Sequence, residues 1–291
     1  MSGSLIWPVT PSCPLWLTRL TTSRSGRIGV LLLAGHLLVA LLAPVLAPFD
    51  VTAADSLAVL QAPDARYWLG TDHMGRDVLS RTLMGGREAI ITTFPAALLA
   101  VGWGSLAGLF IAIQGGRTED WSMRLVDALL SIPWLLFMLL IISMTGPGPL
   151  VFIMTLGFFY GIAVIRVVLT AAKEVLCRDF VTAARLRGDG HLVILRREIL
   201  PNVLDVILVE IAMRWSWMLL AFSSLSFLGF GVSPPTPDWG LMIADNRGFM
   251  SFAPWAVLAP ILALSSLIIG INLASDALAK SLGLDNTSAV H

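Results

Sequence analysis

E-V-L-C-R-D-F-V-T-A-A-R-L-R-G-D-G-H-L-V-I-L-R-R-E-I-L-P-N occupies residues 174–202 and is basic, in a chain that is mostly apolar around it. On a helix, Glu174, Arg178, Thr182 and Arg185 share one face through steps of four, four and three residues. Leu176, Phe180, Ala183 and Ala184 fall on the opposite arc. Gly188-Asp189-Gly190 breaks that helix, and a second short segment runs on to Pro201. Two readings fit this pattern. One is a basic amphipathic helix lying on anionic headgroups of membrane lipid. The other is a cytoplasmic helix-turn-helix that docks on a soluble partner.

The surroundings are those of a membrane protein. The chain is 56% hydrophobic and 13% charged, against roughly a quarter charged in a soluble domain. Mean hydropathy is +0.82. A net charge of zero leaves no global field to attract nucleic acid. Apolar runs fall at 28–47, 89–113, 125–145, 150–170, 203–230 and 255–273, each near the ~20 residues that a bilayer requires. The predicted fold class is all-α and polytopic, with six transmembrane helices. Tails are expected at 1–27 and 281–291, around a membrane domain at 28–280. The first run also fits a signal peptide ending Val45-Leu46-Ala47, but its long leader and Pro48 favour a membrane helix. Six spans put both termini on one side. Arg24, Arg27, Arg117, Arg124, Arg166, Lys173 and the five arginines of the opening segment share that side, so it is read as cytoplasmic. Arg66, Arg76, Arg81, Arg87 and Arg247 lie on the other. Cys13 and Cys177 are too far apart for a CxxC motif.

The opening segment resembles the cytoplasmic loop of binding-protein-dependent ABC importer permeases, of form E-A-A-x-x-x-G and ending I-L-P. Thr182-Ala183-Ala184, Gly188 and Ile199-Leu200-Pro201 carry that likeness, with Thr182 where the motif has Glu. L-G-T-D-H-M-G-R-D-V-L-S-R at 69–81, followed by Gly85-Gly86-Arg87, is similar to a signature of the dipeptide/oligopeptide/nickel branch. R-L-V-D-A-L-L-S-I-P at 124–133 and S-F-L-G-F-G-V-S-P-P-T-P-D-W-G at 226–240 are similar to further family segments. The resemblance implies the type I ABC importer permease fold in a bacterial inner membrane. It implies four kinds of partner role: a homologous second permease subunit forming a heterodimer, two ATP-binding subunits, an extracytoplasmic substrate-binding protein, and membrane lipid. ATP and Mg would be bound by the partner ATPases, with no cofactor in this chain. Residues 177–199 would be the coupling segment, carried by Arg178, Phe180, Thr182, Ala183, Ala184, Arg185 and Gly188, with Pro201 just beyond. Residues 68–87 and 231–254 would form an external docking platform that includes Asp72, Gly75, Arg76, Asp77, Pro234, Pro235 and Trp239. The implied cargo is di- or oligopeptides, or nickel or another metal as a chelate.

The residues themselves offer no catalytic set. There is no G-x-x-x-x-G-K-[ST] phosphate loop, no G-x-S-x-G elbow, and no metal-ligand spacing among His36, His73, His191 and His291. His36 in the first span reads most simply as a hydrogen-bonded packing histidine. Asp72/Arg76 and Asp77/Arg81 are i,i+4 pairs if their stretch is a solvated helix. Glu210 and Arg214 are the exception in the fifth span, where a central charge costs at least ~2.5 kcal/mol. They are read either as a self-neutralised structural pair or as a polar lining of the substrate path. The family usually has uncharged residues at both places and a Glu near Ala221. A secondary transporter is the reading from another class, but no inverted repeats support it.

Overall fold

The computed structural model describes residues 23–282. Residues 1–22, with Cys13, and 283–291, with His291, lie outside the described residues. Ten α-helices follow in order, and only one isolated backbone bridge, Thr71 to Asp77, pairs extended segments among the described residues. They are α1 (Arg24–Leu46), α2 (Val78–Gln114), α3 (Gly116–Leu130), α4 (Trp134–Thr145), α5 (Pro149–Leu176), α6 (Asp179–Leu186), α7 (His191–Ile194), α8 (Leu200–Phe227), α9 (Trp239–Asn246) and α10 (Trp255–Ser281). A π turn, Leu195–Ile199, joins α7 to α8. A 3-10 turn, Arg247–Phe249, follows α9.

Helices α1, α2, α5 and α10 are each long and apolar enough to cross a membrane. The run read as a straight third span is instead α3 and α4, bent by 75°. Pro133 explains the break, since a proline disfavours helix at the residue before it and cannot donate an N–H. The polar stretch 114–124, between the second and third apolar runs, is mostly the first half of α3. Its polarity is amphipathic patterning, with exposed ion pairs Lys173–Glu119 (2.7 Å) and Arg166–Asp127 tying one side to α5. Helix α1 starts at Arg24, inside the expected tail, because the Ser23 hydroxyl caps it by accepting from the Gly26 N–H at 3.0 Å. Helix α8 matches the fifth run in length and carries Asp205, Glu210 and Arg214 along it.

Packing depends on small residues. Gly104 and Gly108 of α2 face Gly161 and Ile165 of α5, where added Cβ atoms would stand 2.5 and 2.7 Å from the Gly161 and Ile165 carbonyl oxygens. Trp103 Nε1 donates to the Gly157 carbonyl at 2.9 Å. The two G-x-x-x-G stretches thus meet one another, as close membrane helix pairs require. Helix α1 lies against α10 through Gly29 and Gly270. There His36 Nδ1 reaches the Leu32 carbonyl at 2.9 Å and Nε2 lies 3.2 Å from the Ser266 hydroxyl, so this histidine joins two helices. Helix α8 is central, packing on α2, α5, α9 and α10. Trp215 Nε1 donates to Thr93 Oγ1 at 3.0 Å and fixes α8 to α2.

Candidate coupling segment, charged pair and capping platform

The basic segment is two short helices at the end of α5 and the start of α8. The expected single face from Glu174 to Arg185 does not form. Helix α5 ends at Leu176, and Arg178 takes extended backbone (φ −79°, ψ 148°) as the N-cap residue of α6. Glu174 and Arg178 therefore lie on different helices and do not pair. The apolar arc also shifts by one residue. Val181 and Ala184 are buried, whereas Phe180, Thr182, Ala183 and Arg185 are exposed. Gly188 ends α6 at φ +82°. Its N–H donates to the Arg185 carbonyl (3.0 Å) and the Asp189 N–H to the Ala184 carbonyl (3.2 Å), which closes a Schellman cap. Arg187 pairs with Asp189 at 3.0 Å and reaches Glu198 at 3.8 Å, all partly exposed. Exposed Phe180, Leu186 and Leu192 beside exposed arginines give this end a mixed apolar and basic surface.

Pro201 does not end the second segment. The chain runs helically from His191 to Phe227, and the π turn is the adjustment that admits the proline. The Leu200 N–H bonds back to the Leu195 carbonyl. That wider turn accommodates a ring that would otherwise press on the carbonyl four residues earlier.

Glu210 and Arg214 pair on α8, with Arg214 Nε donating to Glu210 Oε2 at 2.7 Å. Their side chains are 9% and 18% exposed. The two readings of this pair both keep it neutral; the structure adds that Arg214 is the more open member.

At the other end of the bundle, residues 48–77 and 228–254 build a cap. The stretch 69–77 is not a helix. It is a tight turn closed by the bridge between Thr71 and Asp77. Asp72 is 1% exposed and accepts from the Met74 N–H (2.8 Å), the Arg76 N–H (2.9 Å) and Arg76 Nε (2.7 Å). The second expected pair does not form. Asp77 instead caps α2 by accepting from the Ser80 N–H at 2.7 Å. Arg81, 1% exposed, turns to Asp72 at 3.7 Å and donates to the Val51 carbonyl at 2.8 Å and the Pro235 carbonyl at 3.5 Å. Gly75 sits at φ +74°, pressed against Asp55, where a side chain has no room. Arg81 was missed as a site residue, although it closes the quoted 69–81 signature; its partners are distant in sequence.

Trp239 anchors the other half of the cap. Its indole lies on Gly85 and Gly86 of α2, and Nε1 donates to the Thr82 carbonyl at 2.8 Å. A Cβ on Gly86 would stand 2.6 Å from Trp239 Cζ2. Gly86→Val is therefore expected to destabilise the protein by about 1–3 kcal/mol through overpacking, read as a lower unfolding temperature in detergent. An unchanged midpoint would show that the indole moves aside freely. Pro234 and Pro235 are joined by a cis peptide and bring the Pro235 carbonyl to Arg81. His73 stacks on Phe249, with its ring and N–H both at Asn246 Oδ1, which ties the two cap segments together.

Asp238 was also missed, though it lies in the quoted 226–240 stretch. It is fully buried and caps α9 by accepting from the Gly240 N–H at 2.8 Å, while the Ser226 hydroxyl donates to its other oxygen. Burial pushes this carboxyl up to about 6, against lowering hydrogen bonds from Ser226, Gly240 and Leu241, with Glu88 adding to the rise. Folding thus favours the protonated form. The stabilisation is complete below an ordinary carboxylate pKa of about 4 and is lost as pH rises through about 6. Corrected for intrinsic rates, α9 amides should exchange more slowly at about pH 4.5 than at about pH 7.5. Asp238→Asn, which keeps the cap acceptor without the charge, should flatten that difference.

The chain is thus an all-helical bundle with helices of membrane-crossing length, a buried polar cap at one end and an exposed basic helical segment at the other. The model of the family "binding-protein-dependent transport system inner membrane component" matches residues 104–283. The dipeptide transport system permease protein DppC of Haemophilus influenzae is 34% identical over 281 residues, covering 94% of this chain and 95% of the relative. The di/tripeptide transport system permease protein DppC of Pseudomonas aeruginosa is 33% identical, covering 96% of this chain and 93% of its own. The nickel transport system permease protein NikC of Escherichia coli is 31% identical, covering 89% and 94%. The chain belongs to the binding-protein-dependent transport system inner membrane component family. It is an inner-membrane permease subunit of an ABC importer.

Proposed function

We propose that this subunit imports peptides, as one half of a heterodimeric permease that is worked by two ATP-binding subunits and fed by an extracytoplasmic binding protein. The observation that carries this is the pairing of near full-length similarity to peptide permeases with a basic helical segment at the opposite end of the bundle from the cap. Helices α1, α2, α5 and α10, the bent pair α3–α4, and α8 would make six crossings. Both termini and α6 would then be cytoplasmic, in keeping with the arginine bias. Arg178, Phe180, Thr182, Ala183, Arg185 and Gly188 would seat in a groove of an ATPase, with Ala184 packed beneath them. ATP with Mg would be held there, in the partner, and its closure would favour one of two permease conformations by differential binding. The cap, with Asp72, Gly75, Arg76, Asp77, Pro234, Pro235 and Trp239, would receive the loaded binding protein. Nickel or another chelated metal is the second reading, favoured by the similarity to a nickel permease.

The test is reconstitution of the whole importer in proteoliposomes. ATP-dependent accumulation of a labelled dipeptide, abolished by omitting the binding protein, is the expected result. Accumulation of nickel alone would overturn the peptide reading. Transport by this chain without ATPase partners would overturn the importer mechanism.

A further inference from the structure

ATPase docking occupies α6 and leaves the second half of the basic segment, from His191 to Arg197, without a partner. That half is the foot of a long rod, because α7, the π turn and α8 run helically from His191 to Phe227. Leu192, Val193, Arg196 and Arg197 are all exposed on it and border a cavity of about 360 Å³. Among the described residues, neither arginine makes an ion pair. Their neighbour Glu198 is turned to Arg187, at 3.8 Å. Two guanidinium groups with no carboxylate between them favour an anion at their side.

The height of this pair follows from the rod. Arg197 stands six residues before Val203, where the apolar run begins, about 9 Å along the axis. The headgroup layer on each side of a bilayer is about 5–8 Å deep, and an arginine on its flexible stem spans the difference. Exposed residues continue inward from the pair. Val193, Arg197, Pro201, Leu204 and Leu208 recur at steps of four, four, three and four, and in the wider π turn a step of four or five is one full turn. Glu210 and Arg214 lie about a third of a turn away from this stripe. The stripe is therefore cationic at headgroup height and aliphatic further in, which matches the two parts of an anionic phospholipid in charge and in polarity.

From this arrangement we infer that the foot of α8 holds an anionic phospholipid of the cytoplasmic leaflet. Its phosphate sits between Arg196 and Arg197, whose N–H groups donate to the phosphate oxygens, and its acyl chains lie along Leu204 and Leu208. The inference rests on α8 crossing the membrane with its foot on the cytoplasmic side, as proposed above. The basic segment then divides at Gly188. Residues before it meet the ATPase, and those from Leu192 to Arg197 meet the leaflet, so each of the two readings of the segment holds for one half. Phosphatidylcholine offers the same phosphate but adds an ammonium, which two arginines repel, so the site prefers phosphatidylglycerol.

The test is native mass spectrometry of the complete importer in detergent, titrated with phosphatidylglycerol or with phosphatidylcholine. An arginine near an anionic membrane surface is worth about fivefold in binding. Arg196→Gln with Arg197→Gln is therefore expected to weaken the tightest phosphatidylglycerol about tenfold or more, in a complex that is still intact, and to leave phosphatidylcholine within about twofold. Arg196→Lys with Arg197→Lys keeps both charges and should stay within about threefold of the wild type. Arg185→Gln removes an exposed charge from α6 and should leave the lipid affinity unchanged. Equal weakening by Arg185→Gln would reduce the effect to the general field of the basic segment and overturn the site. So would tight phosphatidylglycerol that appears only once the ATPase subunits are stripped away, since the two arginines would then belong to the ATPase interface. Orientation is read separately. With Cys13→Ser and Cys177→Ser in place, the exposed position His191→Cys should react with a membrane-impermeant maleimide from the cytoplasmic side. Reaction from the other side alone would overturn the orientation on which the import reading depends, whereas cytoplasmic reaction without a preference for phosphatidylglycerol overturns the lipid site alone.

Discussion

Asp72→Ala is expected to destabilise the cap by about 3–5 kcal/mol, the range for removing one member of a buried ion pair. Asp72 stands between two arginines, and all three are buried. Its loss would leave Arg76 and Arg81 with no carboxylate and would release the Met74 and Arg76 N–H groups at once. Arg76 and the freed N–H groups would lose their acceptor, and Arg81 would be left with carbonyl acceptors alone. The turn at 71–77 would open, and with it the connections that Arg81 makes to Val51 and Pro235. Limited proteolysis of the complex should show new cleavage in 48–77, and the binding protein should no longer be retained on the purified complex. Asp72→Asn, which keeps the acceptor but not the charge, should fall between the two. An intact cap in Asp72→Ala would mean that water replaces the carboxylate, and would remove the ion network from the account of this region.

Gly188→Val is the second large effect expected, and it should appear in coupling rather than in assembly. Gly188 holds φ +82° with nothing within 4 Å of an added Cβ. The cost is backbone strain alone, about 1–2 kcal/mol for a residue forced into the left-handed region and more for a β-branched one. The cheapest relief is to undo the Schellman cap and splay the end of α6. A loss of about 1.4 kcal/mol in docking is tenfold in affinity, so uptake should drop at least tenfold while the complex still purifies and still hydrolyses ATP. Gly188→Asn tolerates positive φ and should stay near the wild-type rate. If both variants transport normally, α6 does not depend on its cap for docking.

Much of this architecture was legible in the residue pattern, for reasons that differ from place to place. Long apolar runs fix helices because a bilayer permits little else. The G-x-x-x-G stretches at 104–108 and 157–161 meet because close helix approach needs small residues on both sides. Local periodicity failed where an interruption lay inside the pattern. Pro133 bends α3 from α4, and Cys177 ends α5 between Glu174 and Arg178, so residues that share a face on paper do not share one in space. The cap was recognisable as motif but not as geometry. Arg81 meets Val51 and Pro235, and Trp239 meets Gly85 and Gly86. Such long-range partners leave no spacing to count. Thr182 is exposed on α6.

The π turn at Leu195–Ile199 has a geometric consequence for everything after it. A π turn holds one residue more than an α turn, so all side chains from Leu200 onward are rotated about 100° in azimuth from where an uninterrupted helix would set them. The orientation of Glu210 and Arg214 relative to α7 is therefore a phase, set by five residues next to Pro201. Removing a single residue there would turn α8 like a key in place, carrying its charged pair to another side of the bundle while leaving its axis where it was.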